Sequence, residues 1–136
     1  MINSKYEILN SKQILNSKSK TGNSKQYDLE DRTLIFAARV RDYVKKLPRN
    51  MTNMEIGSQL FRSAGSVGAN YIEANESLSK RDFVMRAKIS RKEAKESRYW
   101  LKLSEPDAIA EAEKLSLIQE ATELMKIFGA ILEKCY

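Results

Sequence analysis

The chain has 136 residues, with 24 Lys and Arg against 18 Asp and Glu, no His and one Cys, a length that suits one globular domain and argues against a two-domain enzyme. Without His, chemistry that needs an imidazole for proton transfer or metal ligation is excluded, and the lone Cys135 can form neither an internal disulfide framework nor a Cys-based zinc site. No uncharged apolar run is long enough to span a bilayer and no secretory leader is visible, so a cytoplasmic protein is expected.

Residues 1–27 carry five Lys and one Glu and repeat Asn-Ser-Lys at 3–5, 10–12, 16–18 and 23–25. So short a unit cannot bury a face, and the stretch reads as a low-complexity basic tail. It is either a plain flexible arm, an arm attracted to polyanions, or a transient helix using Ile8, Leu9, Ile14 and Leu15.

From residue 28 to 136 the apolar spacing is helical. Phe36, Val40, Tyr43, Val44 and Leu47 trace one face of a first helix that ends at Leu47-Pro48. Thr52-Asn53-Met54-Glu55 has capping-box spacing and marks the start of a second, whose stripe runs Ile56, Leu60, Ala64, Val67, Tyr71, Ala74 and Leu78. Its centre, Ser63 to Ala69, is rich in small residues and invites close approach by another helix. Ser79-Lys80-Arg81-Asp82 caps a third helix after a very short turn, so the second and third form an antiparallel hairpin. Ser104-Glu105-Pro106 ends the third and opens the fourth, which reaches nearly to Tyr136. The fourth helix has an apolar face of roughly 180°, more than one bundle contact requires, which points to a second contact surface for homo-oligomerisation or to deep burial. With no alternating β-branched run, the expectation is an all-α, up-and-down four-helix bundle.

Charge is uneven along this bundle. Residues 28–79 hold seven charges of each sign, 80–102 hold nine basic and three acidic, and 103–136 hold three basic and seven acidic. On the third helix Lys88, Arg91, Lys95, Arg98 and Lys102 step by three, four, three and four, within about 80° of one another. From Arg91 to Lys102 this ridge is about 16 Å long, enough to meet several nucleic-acid phosphates. A row of cations is also what a merely solvated face looks like. Binding of RNA or DNA is therefore one reading, and a protein-interaction scaffold is the other.

Glu73-x-x-Glu76 and Glu93-x-x-Glu96 superficially offer the paired carboxylates of a magnesium enzyme. In a hairpin turning near Ser79, however, Glu73 and Glu93 miss each other axially by about 12 Å, too far to share a metal. Arg62 and Glu96 are equidistant from the turn, so a structural ion pair from Arg62 to Glu96 or Glu93 is expected to set the hairpin's register. Gly65-Ser66-Val67-Gly68 lies within a helix and lacks the Lys-Ser or Lys-Thr of a phosphate loop. Tyr99-Trp100 could stack on bases, but Trp100 shares an apolar face with Met85, Ile89 and Leu103. No catalytic residue, metal or cofactor is expected.

The run Gln59 to Ala74, together with Asp82-Phe83 and Lys92-Glu93-Ala94-Lys95-Glu96-Ser97-Arg98-Tyr99-Trp100-Leu101, resembles the four-helix-bundle proteins encoded in intervening sequences of bacterial large-subunit ribosomal RNA genes. The start, Tyr27 to Arg32 before Phe36-Ala37 and Leu47-Pro48, fits the same pattern, whereas the basic tail does not. The resemblance implies a ring-like homopentamer without catalytic activity. It also implies kinship with accessory proteins of diversity-generating retroelements, which bind nucleic acid and a reverse transcriptase through basic surfaces. Carried onto this chain, Arg62, Asn70, Glu73, Glu93 and Glu96 are signature positions that suit a buttress.

Overall fold

A computed structural model describes residues 28–136; the repeats and basic arm expected for residues 1–27 lie outside the described residues. Four helices follow one another: α1 (Leu29–Lys45), α2 (Met51–Asn75), α3 (Lys80–Leu103) and, after a 3-10 turn at Ala108–Ala110, α4 (Glu111–Glu133). There is no strand among the described residues. Each helix packs on its neighbour in sequence, most extensively α2 on α3, and α1 returns to α4 along a sparser seam. The result is an all-α, up-and-down bundle.

Local chemistry accounts for the boundaries. The Asp28 carboxylate accepts from Asp31 N at 2.9 Å and starts α1, and the Ser79 hydroxyl accepts from Asp82 N at 3.1 Å and starts α3. These satisfy amides that a helix N-terminus leaves without partners. The start of α2 differs from the capping-box expectation. Asn50 is the cap, its Oδ1 accepting from Asn53 N at 2.8 Å, and Thr52 donates to that same oxygen from inside the first turn. Asn and Thr are both competent caps, and the chain uses the earlier one, with the Thr52 hydroxyl joining the same Asn50 oxygen. Pro106 likewise precedes a turn rather than a helix; Asp107 caps Ala108–Ala110, and α4 begins five residues later than the proline.

Phe36, Val40, Tyr43, Leu60, Ala64, Val67, Ala94, Leu101, Leu117, Ala121, Leu124 and Phe128 form one buried core. Burying each large apolar side chain here contributes about 1.5–3 kcal/mol. Small residues set the α2–α3 spacing: Ser63 and Ser97 hydroxyls meet at 2.9 Å, and the Ser90 hydroxyl donates to Val67 O at 2.8 Å, all buried. The broad apolar face of α4 is largely consumed inside the protomer, since Ile118, Met125, Ile127 and Ile131 pack partly buried against the core and Leu115 is left exposed. No helix among the described residues is long and apolar enough to cross a membrane.

Candidate nucleic-acid interface

Ala87, Ala94 and Leu101 turn inward on α3, and this fixes what its two flanks can meet. One flank faces α2. There Arg86 donates to Asn70 Oδ1 at 2.8 Å, and Ser90, Glu93 and Ser97 lie buried. The opposite flank faces α4 and carries the five cations. Arg98 Nη1 donates to Thr122 Oγ1 at 3.2 Å, a Cβ built on Gly129 would lie 3.9 Å from Arg91 Nη1, and Lys88 Nζ sits 5.9 Å from the centre of the Tyr136 ring. Lys95 and Lys102 continue the same edge by helical phase and are exposed. None of the five has a carboxylate within ion-pair distance among the described residues.

The acids of α4 lie on its other side. Arg32 of α1 grips Glu120 at 2.7 Å and Glu123 at 2.8 Å, and Arg39 reaches Glu113 at 3.2 Å and the Ser116 hydroxyl at 2.7 Å. Hydrogen bonding to Glu120 holds the Arg32 guanidinium well above its ordinary range, against the opposing effect of burial. Glu123 is held below its ordinary value, first by the Gln119 amide and then by Arg32. The acidic fourth helix thus spends much of its charge closing the α1–α4 seam, and the basic third helix keeps its charge facing outward.

One contributor was missed by reading the third helix alone. Lys126 of α4 faces Arg91 and Lys88 across an open cleft that also takes in Gly129, Glu133 and Tyr136. Its signal was present in sequence only as a lysine three residues before a glycine, on a helix whose net charge is negative. Which helix it would oppose depended on the packing.

The ion-pair residues gather on the far flank of α3. Arg62 Nη2 contacts Glu96 Oε2 and lies 3.5 Å from Glu93 Oε1. Glu96 Oε2 also accepts from the Trp100 indole at 3.0 Å, and the Tyr99 and Trp100 rings meet edge to face at 5.1 Å. Trp100 is therefore held towards α2, away from the cationic flank. Glu73 and Glu76 remain exposed on α2, and among the described residues no group of three or more His, Cys, Asp or Glu side chains is placed to hold a metal ion. The small residues at 65–68 serve packing at one position: a Cβ on Gly68 would fall 2.9 Å from Thr33 Oγ1, whereas Gly65 has open space around it.

Among curated proteins none matches the chain. A solved structure described as a protein with unknown function from the S23 ribosomal protein family of Bacteroides thetaiotaomicron VPI-5482 is 30% identical, covers 77% of this chain and 98% of its own, and superposes with a TM-score of 0.67. The family model for the 23S rRNA-intervening sequence protein matches residues 25–130, from the last residues of the tail to the final turns of α4. With its motifs, its bundle and most of its length accounted for in this way, the chain belongs to the 23S rRNA-intervening sequence protein family.

Proposed function

We propose that this protein is a non-enzymatic, homo-oligomeric adaptor that binds RNA or DNA through the α4-facing edge of α3, using Lys88, Arg91, Lys95, Arg98 and Lys102. The observation that carries the reading is a row of five cations along one edge of α3 with no carboxylate in ion-pair distance among the described residues, set apart from the ion pairs of Arg32, Arg39 and Arg62 on other flanks, with Lys126 bordering the same edge from α4. Phosphate contacts of this kind supply affinity without sequence preference. Several copies around one axis would repeat the field and strengthen it, which is where a homo-oligomer, a pentamer on the family resemblance, enters the proposal. A cytoplasmic setting and kinship with retroelement accessory proteins belong to the same reading and rest on the motifs.

The test is retention of the full chain on RNA and DNA across a salt series. Affinity should fall with a log–log slope of about −3 to −5 if four to six cations displace counterions. Changing Arg91, Lys95 and Lys102 together to Glu should abolish binding with helicity unchanged; binding that survives the reversal overturns the proposal. Arg98 is left intact because it ties α3 to Thr122.

A protein-interaction scaffold is the second reading, favoured by an apolar groove between α1 and α2 formed by Val44, Leu47, Met54, Gly57 and Phe61. Met54 and Phe61 are 60% and 48% exposed there, beside Lys45 and Arg49 at its edge.

A further inference from the structure

We infer that the cleft at the Tyr136 end of the cationic edge takes an unpaired nucleotide, so that the nucleic acid recognised is single-stranded rather than duplex. This rests on the proposed nucleic-acid reading and narrows its ligand. The cleft lies between α3 and α4, holds about 450 Å³, and is bordered by Lys88, Arg91, Lys126, Gly129, Glu133 and Tyr136. Its charges are arranged along its length. Arg91 and Lys126 stand near Gly129, where a Cβ would be in ordinary contact with the Arg91 guanidinium at 3.9 Å. Glu133 and Tyr136 lie at the other end, with Lys126 and Glu133 separated along the helix by about 10 Å.

A phosphate is attracted to the Arg91–Lys126 end and repelled by the Glu133 carboxylate. What suits the Glu133 end is a group that donates hydrogen bonds and has a flat face, as a nucleobase does. Tyr136 supplies the matching surface: the residue is 80% exposed, with the Lys88 ammonium 5.9 Å from the centre of its ring. Base stacking on such a ring is tolerant of sequence and is strengthened by a neighbouring cation. A duplex cannot use this arrangement. Its bases are stacked on each other, and its rigid backbone cannot lower one phosphate and one base together into a hollow the size of a single nucleotide.

The experiment is fluorescence anisotropy of the full chain with a 12-nucleotide RNA, the DNA of the same sequence, and the RNA and DNA duplexes of each, at fixed salt. Single strands of either sugar should bind at least ~10-fold more tightly than their duplexes, Tyr136→Ala should cost about 10-fold on single strands alone, and Tyr136→Phe should restore it. Equal affinity for strand and duplex, or a Tyr136→Ala variant indistinguishable from the parent, overturns this inference and leaves the cationic-edge reading standing. Failure of the parent chain to bind any of the four probes overturns both. RNA against DNA identifies which sugar is preferred, and a preference for either supports the inference when its duplex is weaker.

Discussion

Asn53 holds both backbone groups of Glu105. Its Oδ1 accepts from Glu105 N at 3.2 Å, and its Nδ2 donates to Glu105 O at 3.0 Å and to Pro48 O at 3.1 Å. One buried amide, 2% exposed, thereby clamps the α1–α2 loop to the α3–α4 loop at one end of the bundle.

Asn53→Ala should lower stability by about 1–3 kcal/mol, because the loop groups it satisfies lose their partners at a site with little access to water. Asn53→Asp should cost at least as much, since a carboxylate would face two carbonyl oxygens. The urea midpoint measures both, and a midpoint unchanged in either variant would contradict the clamp.

The two central glycines of α2 should respond in opposite directions. Thr33 is pinned by bonds from its hydroxyl to Leu29 O and Glu30 O, so it cannot turn away from a methyl group on Gly68. Gly68→Ala should therefore destabilise by about 1–3 kcal/mol through overpacking. Gly65→Ala meets open space and should stabilise by roughly 0.5–1 kcal/mol, the ordinary gain of Ala over Gly within a helix. Thermal unfolding of the pair compares them directly.

Glu93 is 8% exposed and its Oε1 has no hydrogen-bond partner, leaving Arg62 as the compensating charge. Arg62 is itself half exposed, which tempers the attraction. Removing it by Arg62→Ala should cost about 1–3 kcal/mol, chiefly by stranding a buried carboxylate. Adding Glu93→Gln to that variant should recover part of the loss by deleting the charge. Chemical denaturation of the single and double variants decides it; a fully stable Arg62→Ala protein would refute a supporting role for the pair.

Tyr43 predicts the alkaline limb. The buried Tyr43 and Ser104 hydroxyls share a hydrogen bond of 2.6 Å, and Ser104 Oγ also lies 2.7 Å from Leu101 O. Burial pushes the Tyr43 hydroxyl above its ordinary value of 10.0, and the charge of Glu111 adds to this against the Ser104 bond. The unfolded chain then loses this proton before the folded one does. The contribution of Tyr43 is thus complete below pH 10 and lost as pH rises through the folded value. Tyr43→Phe should be less stable at neutral pH by about 1 kcal/mol, the worth of one hydrogen bond, and its stability should fall less steeply above pH 10. Denaturant midpoints taken on both sides of pH 10 test the difference in slope.

Much of this protein was legible along the chain. The period-3.6 stripes, Ser79 before α3 and the short turn at 76–79 are local signals, and they were enough to call for four antiparallel helices. The phase of Lys88, Arg91, Lys95, Arg98 and Lys102 is also local, since a helix puts residues three and four apart on one edge whatever surrounds it. The level of Arg62 with Glu96 follows from counting residues back to a turn. Less was legible where two local signals competed. Asn50 and Thr52 are both good caps, and nothing in either alone says which one the chain uses.

Only packing decided what each edge meets. The cations of α3 face α4 because Ala87, Ala94 and Leu101 must turn inward, and no rule of spacing says which neighbour then lies on which flank. The pairing of Glu113, Glu120 and Glu123 with arginines of α1, 74 to 91 residues away along the chain, is of the same kind. So is the placing of Lys126 and Tyr136 opposite Lys88 and Arg91. Periodicity is set by the backbone hydrogen bonds within a helix, and the chain alone therefore states it. The choice of neighbour is set by burial shared among four helices at once, and it exists only when the bundle has closed.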